Sequence, residues 1–254
     1  MRFASIGSGS EGNALLVIAG KTCVMIDCGF GVRDAVARLA RHGLAPEDVT
    51  AILVTHEHSD HIGGVPAFAA RYGTAVWATF GTLTMAAGRF DGCERVYGFD
   101  SHDRFGIGDL EICPFPVPHD AREPVQFVVA DGRSRLGVLT DIGESTPYVE
   151  ASLSGCDALV LECNHDLDLL AGSAYPFTLK QRIAGRFGHL HNGAAARILE
   201  AIDTSRLKHV VAAHLSQQNN TPERASAALA GALSCAAEWI GIADQAIGFA
   251  WRDC

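Results

Sequence analysis

The chain of 254 residues lacks three features that would place it at a membrane or divide it into separate parts. No apolar run reaches the roughly 18 residues that a membrane-spanning helix needs. The N-terminus passes at once into a polar glycine loop, without the long apolar segment of a signal peptide. No stretch rich in Pro or Ser and no run of like charge separates two halves. We therefore expect a cytoplasmic protein that forms a single domain over residues 1–254, with no membrane partner.

Positive charge is also scarce. The chain has 20 Lys and Arg against 29 Asp and Glu, which gives a formal net charge of −9. This balance argues against a broad basic surface that binds nucleic acid by releasing counterions. Any contact with nucleic acid has to be local and assisted by metal ions.

None of the eight cysteines lies in a C-x-x-C pair, so a structural zinc ribbon is not expected. Most of these cysteines lie in or beside apolar runs. In a chain without a secretion signal, this placement predicts reduced thiols that pack as small hydrophobic side chains.

What the sequence does have is a dense polar segment, Thr55–His61, directly after the apolar run Ala51–Val54. The segment holds three imidazoles and two carboxylates within seven residues. Zn²⁺, Fe²⁺ and Mn²⁺ all accept such ligands, and without a cysteine among them the sequence does not choose between these metals. The alternative is a solvated loop with chance histidines, but the spacing favours a metal site at the end of a buried strand.

Four further apolar runs also end in polar residues. The residues that follow or close these runs are His119, Asp141, the segment 162–166 and His214. An isolated histidine or aspartate after a strand is often only a turn residue, and that alternative applies to His119 and Asp141.

The glycine loop Gly7–Gly12 fits the spacing G-x-G-x-x-G of dinucleotide-binding proteins. Such a loop has to open a helix, whereas the apolar, β-rich runs that follow here predict a hairpin. We therefore reject dinucleotide binding. Asp27 closes the second strand of this hairpin and is either a residue that orients a metal ligand or a turn carboxylate.

The segment H-x-H-x-D-H resembles the motif of the metallo-β-lactamase superfamily. Together with G-S-G-S-E-G-N, D-C-G, P-H-D-A, T-D-I-G, E-C-N-H-D, G-H-L-H-N and H-L-S-Q-Q-N-N, it is similar to the WalJ/YycJ branch of cytoplasmic 5′-to-3′ DNA exonucleases. The resemblance implies an α/β (α+β) fold, a four-layer αββα sandwich of two mixed sheets flanked by helices. Cys163 and His191 stand where the branch usually has serine.

The resemblance also implies the ligands of two divalent metal ions, which would be Zn, Mn or Fe. His56, His58 and His119 are expected on one metal. Asp60, His61 and His214 are expected on the other, and Asp141 is expected to bridge the two.

For catalysis, the resemblance implies that Asp60 orients the nucleophile while it binds a metal. Gly188-His189 resembles the start of the G-H-x-[ST] loop of tRNA-processing relatives, so His189 is predicted to be the general acid. His191 and His165 are alternative proton donors, and His189 could instead be a loop histidine bonded to backbone. Asn192 is predicted to cap the next helix.

The predicted substrate is DNA or another phosphodiester. Its candidate contacts are Ser10, Asn13, His165, Lys180, Arg182 and His191. A small cyclic phosphodiester is an alternative substrate. Two other functions remain open: a thioesterase or lactonase similar to glyoxalase II, and a metal-binding module without catalysis. The sequence does not predict the oligomeric state.

Overall fold

The computed structural model describes all of residues 1–254, and its strands form two sheets of seven. The strands of the first sheet are β1 (Arg2–Gly7), β2 (Ala14–Ala19), β3 (Thr22–Ile26), β4 (Ala51–Leu53), β5 (Ala75–Thr79), β6 (Val96–Phe99) and β14 (Phe249–Asp253). The strands of the second sheet are β7 (Phe105–Ile107), β8 (Leu110–Pro116), β9 (Val125–Ala130), β10 (Arg135–Leu139), β11 (Ala158–Glu162), β12 (His209–Ala213) and β13 (Gly241–Ile242).

Nine α-helices connect or cover these strands. They are α1 (Val32–Arg41), α2 (Ser59–Ile62), α3 (Val65–Tyr72), α4 (Phe80–Met85), α5 (Pro147–Leu153), α6 (Leu167–Gly172), α7 (Phe177–Ile183), α8 (Asn192–Ala201) and α9 (Pro222–Leu233). Two short 3₁₀ helices lie at Pro46–Asp48 and Ala237–Trp239. No helix is long and apolar enough to cross a membrane.

The two sheets pack face to face, and helices cover their outer faces. On β2, Leu15 and Val17 belong to the core between the sheets, whereas Leu16 faces the core beneath α1 and α3. This alternation follows from the two-residue period of side chains along a strand. Helices α5, α8 and α9 cover the second sheet through a separate apolar cluster. The predicted αββα sandwich of two mixed sheets is confirmed.

Parallel pairing brings the functional strand ends together. In the first sheet β3 and β4 run parallel, and in the second β10, β11 and β12 do. The carboxyl ends of parallel strands lie at one edge of a sheet, which is where open α/β sheets bind ligands. The polar residues that follow these strands therefore meet at one end of the sandwich.

The prediction that Asn192 caps a helix is wrong by one residue. His191 is the N-cap of α8, and its Nδ1 accepts a hydrogen bond from the backbone N–H of Ala194 at 3.3 Å. Asn192 is buried as the first helical residue and exchanges two hydrogen bonds with Asn220, at 2.8 and 2.9 Å. This long-range pair satisfies the amide that a local cap would otherwise use.

Candidate metal centre

Residues from both sheets build a cluster of imidazoles and carboxylates at this end of the sandwich. The first sheet supplies the segment after β4, and α2 turns Asp60 and His61 inward. The second sheet supplies His119 after β8, Asp141 after β10 and His214 after β12. The structure thus brings all seven predicted ligands together.

One group of three consists of His56, His58 and His119, whose ligand atoms all lie within 4.8 Å of one another. Nε2 of His119 lies 3.3 Å from Nδ1 of His58. The other ring nitrogen of His119, Nδ1, lies 3.1 Å from the carbonyl oxygen of Gly188, which fixes the ring orientation.

A second group consists of Asp60, His61 and His214, whose ligand atoms also lie within 4.8 Å of one another. Oδ2 of Asp60 lies 3.3 Å from Nε2 of His61 and 3.5 Å from Nε2 of His214. Asp141 lies between the two groups, since it also forms a compact set with His56 and His61. This position suits a bridging carboxylate, and the assignment of seven ligands to two ions stays a prediction.

Unsatisfied buried atoms show that this cluster fits metal ions. Nε2 of His56, Nε2 of His214 and Oδ2 of Asp141 are buried and make no hydrogen bond. Buried polar atoms without partners are rare because each costs desolvation free energy. Three of them in one cluster of His and Asp residues are best explained as atoms that bind cations.

A surrounding layer of hydrogen bonds holds the candidate ligands. Oδ2 of Asp27 lies 2.8 Å from Nδ1 of His61 and accepts a hydrogen bond from Oγ1 of Thr55, also at 2.8 Å. A carboxylate behind a histidine fixes the ring and strengthens the opposite nitrogen as a ligand. Of the two predicted roles of Asp27, this contact supports the one that orients a ligand.

Sequence reasoning missed Glu162, which is fully buried at the end of β11. Its Oε1 lies 2.8 Å from Nδ1 of His189 and 3.3 Å from Nδ1 of His214. Its Oε2 accepts hydrogen bonds from the backbone N–H groups of Ile142 and Leu190, at 3.1 and 3.0 Å. The signals in the sequence are its place at the end of an apolar strand and at the start of the segment E-C-N-H-D.

Charge coupling within the cluster shifts its pKa values in opposite directions. Burial and the neighbouring His61 hold the pKa of His56 well below its usual value, so this ring is neutral. Burial also lowers the pKa of His214, but Asp141, Asp60 and Glu162 outweigh that effect and raise it to about 10. A cation that binds these imidazoles has to displace protons, so its affinity will depend on pH.

Three residues of the centre have a left-handed backbone that side chains rarely adopt. They are Asp27, Asp141 and His214, with φ of 61°, 51° and 55°. Each follows a strand, and the strained turn directs its side chain into the cluster. Such conformations cost about 1–3 kcal/mol each and persist only where the surrounding structure holds them.

His189 faces the cleft beside the cluster. Its Nδ1 is bound to Glu162, and its ring stacks on that of His214 with centroids 5.3 Å apart. Burial lowers the pKa of His189, but the charge and hydrogen bond of Glu162, together with the charge of Asp141, raise it above its usual value. Glu162 therefore favours the protonated form of His189 next to the candidate metal ligands.

The predicted substrate contacts are not all in the cleft. Ser10 and Arg182 line it. Asn13 is buried behind it, and its Nδ2 lies 3.4 Å from Oδ2 of Asp60, so it contacts a candidate ligand. Lys180 lies outside the lining and donates a hydrogen bond to the carbonyl of Ala171.

The two alternative proton donors are also outside this cleft. His165 is fully buried, and neither of its ring nitrogens has a hydrogen-bond partner. His191 caps α8 and borders a different cavity next to Arg197. Of the three histidines considered as general acid, the structure places only His189 in the cleft.

Residues 22–214 match the family described as the beta-lactamase superfamily domain, and the chain belongs to this superfamily. The fold and the cluster together define a metal-dependent hydrolase.

Within the superfamily, the chain is 34% identical over 228 residues to Exodeoxyribonuclease YycJ of Bacillus anthracis, across 89% of this chain and 86% of that protein. It is 31% identical over 246 residues to Exodeoxyribonuclease WalJ of Streptococcus pneumoniae serotype 2, across 95% of this chain and 91% of the relative. Among solved structures, the metallo-beta-lactamase fold protein YhfI from Bacillus subtilis superposes with a TM-score of 0.76 at 16% identity, over 99% of each chain. The short form of human tRNase Z superposes with a TM-score of 0.67 at 17% identity, over 100% of this chain and 99% of that one. These two structures show the fold alone.

Proposed function

We propose that the protein hydrolyses phosphodiester bonds and acts as a 5′-to-3′ exonuclease on DNA with two bound divalent cations. The observation that carries this proposal is the cluster of seven candidate ligands, which opens on a cleft that also holds His189. The exodeoxyribonuclease names of relatives that match most of the chain support DNA as the substrate.

The residues that would hold the cations are the two groups of three, with Asp141 between them. Zn, Mn and Fe all suit His and carboxylate ligands. When bound, a pair of such ions lowers the pKa of an attacking water and neutralises charge on the phosphoryl group.

Two residues are then left with distinct tasks. Asp60 orients the attacking water, whose oxygen forms the new bond to phosphorus. The bond from phosphorus to the sugar oxygen breaks, and His189 delivers the proton that this oxygen takes up. The proton lost by the water passes to solvent, and His189 regains its own from solvent.

Substrate recognition is expected to follow backbone shape and end access, since the net charge of −9 opposes tight nonspecific binding. Arg182 lines the cleft and is the candidate cationic contact for a flanking phosphate.

We further propose that the whole chain is one domain and that it works in the cytoplasm, which accords with its eight free cysteines.

A gel assay tests the function. Single- and double-stranded DNA labelled at the 5′ or the 3′ end is incubated with the protein and with Mn²⁺ or Zn²⁺ in turn. We expect a 5′ label to be released at once as a short product and a 3′ label to remain on progressively shortened strands. Asp141→Asn should abolish cleavage, whereas the exposed His102→Ala serves as a matched control and should not change it.

A parallel assay with bis-p-nitrophenyl phosphate and a hydroxyacyl thioester separates the alternatives. Turnover of the thioester, together with inactivity on every phosphodiester, would favour a thioesterase or lactonase. Turnover of a small cyclic phosphodiester without DNA cleavage would favour a small-molecule phosphodiesterase.

A further inference from the structure

One wall of the cleft differs in chemistry from the rest. The cleft has a volume of about 320 Å³, and its only three hydrophobic lining residues are Tyr175, Leu179 and Ile183. Leu179 and Ile183 belong to α7, and Tyr175 lies two residues before the start of this helix. The remaining lining is polar and includes the candidate metal ligands Asp60 and His214.

Helix α7 packs against little of the protein, since none of its residues is buried. Leu179 and Ile183 are four residues apart, so they lie on the same helical face, and both are half-buried towards the cleft. Tyr175 lies just before the helix and lines the same cleft. An apolar face thus lies opposite the candidate metal centre with no protein partner across the cleft.

Arg182 anchors this wall to the centre. Its Nε and its terminal nitrogen each lie 2.7 Å from Oδ2 of Asp120. Oδ1 of the same carboxylate lies 3.5 Å from Nε2 of His119. This ion pair links α7 to the histidines of the centre, so the apolar wall borders the place where a scissile phosphate would lie.

We propose that Tyr175, Leu179 and Ile183 bind the nucleobase of the terminal nucleotide, with the base unpaired and stacked on Tyr175. This inference rests on the proposed function. The apolar wall and the candidate metal centre line the same cleft. A group that binds to the wall is therefore expected to be part of the same substrate as the phosphodiester at the metal centre. Aromatic rings accept any base on their faces, and this binding mode is independent of sequence. The volume of about 320 Å³ suits a single nucleotide, so we expect the substrate end to be single-stranded or frayed.

The test compares Tyr175→Ala with the wild-type protein on single-stranded DNA whose 5′-terminal nucleotide carries a base or is abasic. We expect Tyr175→Ala to raise KM about 10-fold on normal DNA, in line with the contribution of one stacked base. The abasic substrate should be equally poor for both proteins. Tyr175→Phe should restore binding, and Tyr148→Ala, which alters an exposed tyrosine outside the cleft, is the matched control.

A binding measurement without turnover gives a second readout. The oligonucleotide carries 2-aminopurine at its 5′ end, and an uncharged methylphosphonate replaces the first phosphodiester. Stacking on Tyr175 should quench the fluorescence in the wild-type protein and not in Tyr175→Ala.

The possible failures distinguish an error in the proposed function from an error in the base site alone. If the wild-type protein cleaves no phosphodiester, the proposed function is wrong. If it cleaves normal and abasic ends equally well, only the base site is wrong, and this comparison needs no variant to fold. Equal losses of Tyr175→Ala on both DNA ends would also overturn the base site and assign Tyr175 a structural role.

Discussion

His189 has one ring nitrogen bound to Glu162 and presents the rest of its ring to the cleft. A leaving sugar oxygen departs poorly as an alkoxide, and a positioned imidazolium typically contributes 10²–10⁴-fold by protonating it. Replacement of His189 with alanine should therefore reduce DNA turnover by about that factor. With a p-nitrophenol leaving group, which departs without a proton, the loss should be much smaller. Steady-state kinetics on the two substrates measure this difference.

The pH profile tests the same role. The pKa of His189 is raised by Glu162, so activity should fall as pH rises through this elevated value. Glu162→Gln removes the negative charge, and the fall should then move to lower pH. Metal content should stay unchanged in His189→Ala. Equal losses on both leaving groups would indicate a positioning role, and loss of metal would make His189 a ligand.

At the scale of secondary structure elements, one aspartate, Asp157, connects the amino ends of three parallel strands through its carboxylate and its backbone carbonyl. Asp157 precedes β11, is 4% exposed, and its Oδ2 accepts a hydrogen bond from the backbone N–H of Arg135 at the start of β10. Its own carbonyl accepts one from the N–H of Lys208, just before β12. Arg206 pairs with the same carboxylate at 3.0 Å. These contacts hold the strands whose opposite ends carry Asp141, Glu162 and His214.

Asp157→Asn should therefore destabilise the fold by about 1–3 kcal/mol at neutral pH, the range for a buried hydrogen bond to a charged group. Burial raises the pKa of Asp157, but the N–H of Arg135 and the Arg206 side chain lower it further, and the net pKa is below its usual value. A depressed pKa contributes stability that is present above the unfolded value of about 3.9 and is lost as pH falls below it. The difference in the free energy of unfolding between Asp157→Asn and the wild type should thus be constant above about pH 5 and be smaller at about pH 3.5.

Urea unfolding in the presence of a chelator, at both pH values, measures this difference. The exposed Asp103→Asn is the control and should match the wild type throughout. A difference that does not change with pH would show that the charge of Asp157 does not stabilise the fold.

At the scale of the whole molecule, the metal centre joins the two sheets. One sheet supplies His56, His58, Asp60 and His61 through the segment after β4, and the other supplies His119, Asp141 and His214. Cations that bind both sets stabilise the folded state over the unfolded one, by about 2.7 kcal/mol at 100 times Kd. Chelation should therefore lower Tm by about 5–10 °C, since 1 kcal/mol corresponds to about 2–4 °C at this size.

Calorimetry before and after chelation checks the shift, and elemental analysis should find about two metals per chain after saturation. In Asp141→Asn, chelation should lower Tm by less than it does in the wild type. A single metal in the saturated protein would contradict the proposed pair.

The sequence by itself determined the elements and most of the candidate ligands, because these depend on local pattern. Apolar runs predicted the strands that lead into the site, the two runs after the glycine loop predicted a hairpin, and the density of residues 55–61 marked the metal segment. The distant residues His119, Asp141 and His214 were predicted through the resemblance, since each one alone resembles an ordinary turn residue.

Only the tertiary structure decided which isolated polar residues share a site. Glu162 and Asp120 lie in the segments E-C-N-H-D and P-H-D-A, but the sequence predicted no role for either. They become part of the centre only because parallel strands and the loop after β8 place them beside histidines far along the chain. The same holds for Asn192, whose bonds to Asn220 override its local tendency to cap a helix. It holds also for Tyr175, which gains its proposed role only by facing the cluster across the cleft. Contacts between residues distant in sequence depend on how the whole chain packs, and no local spacing encodes them.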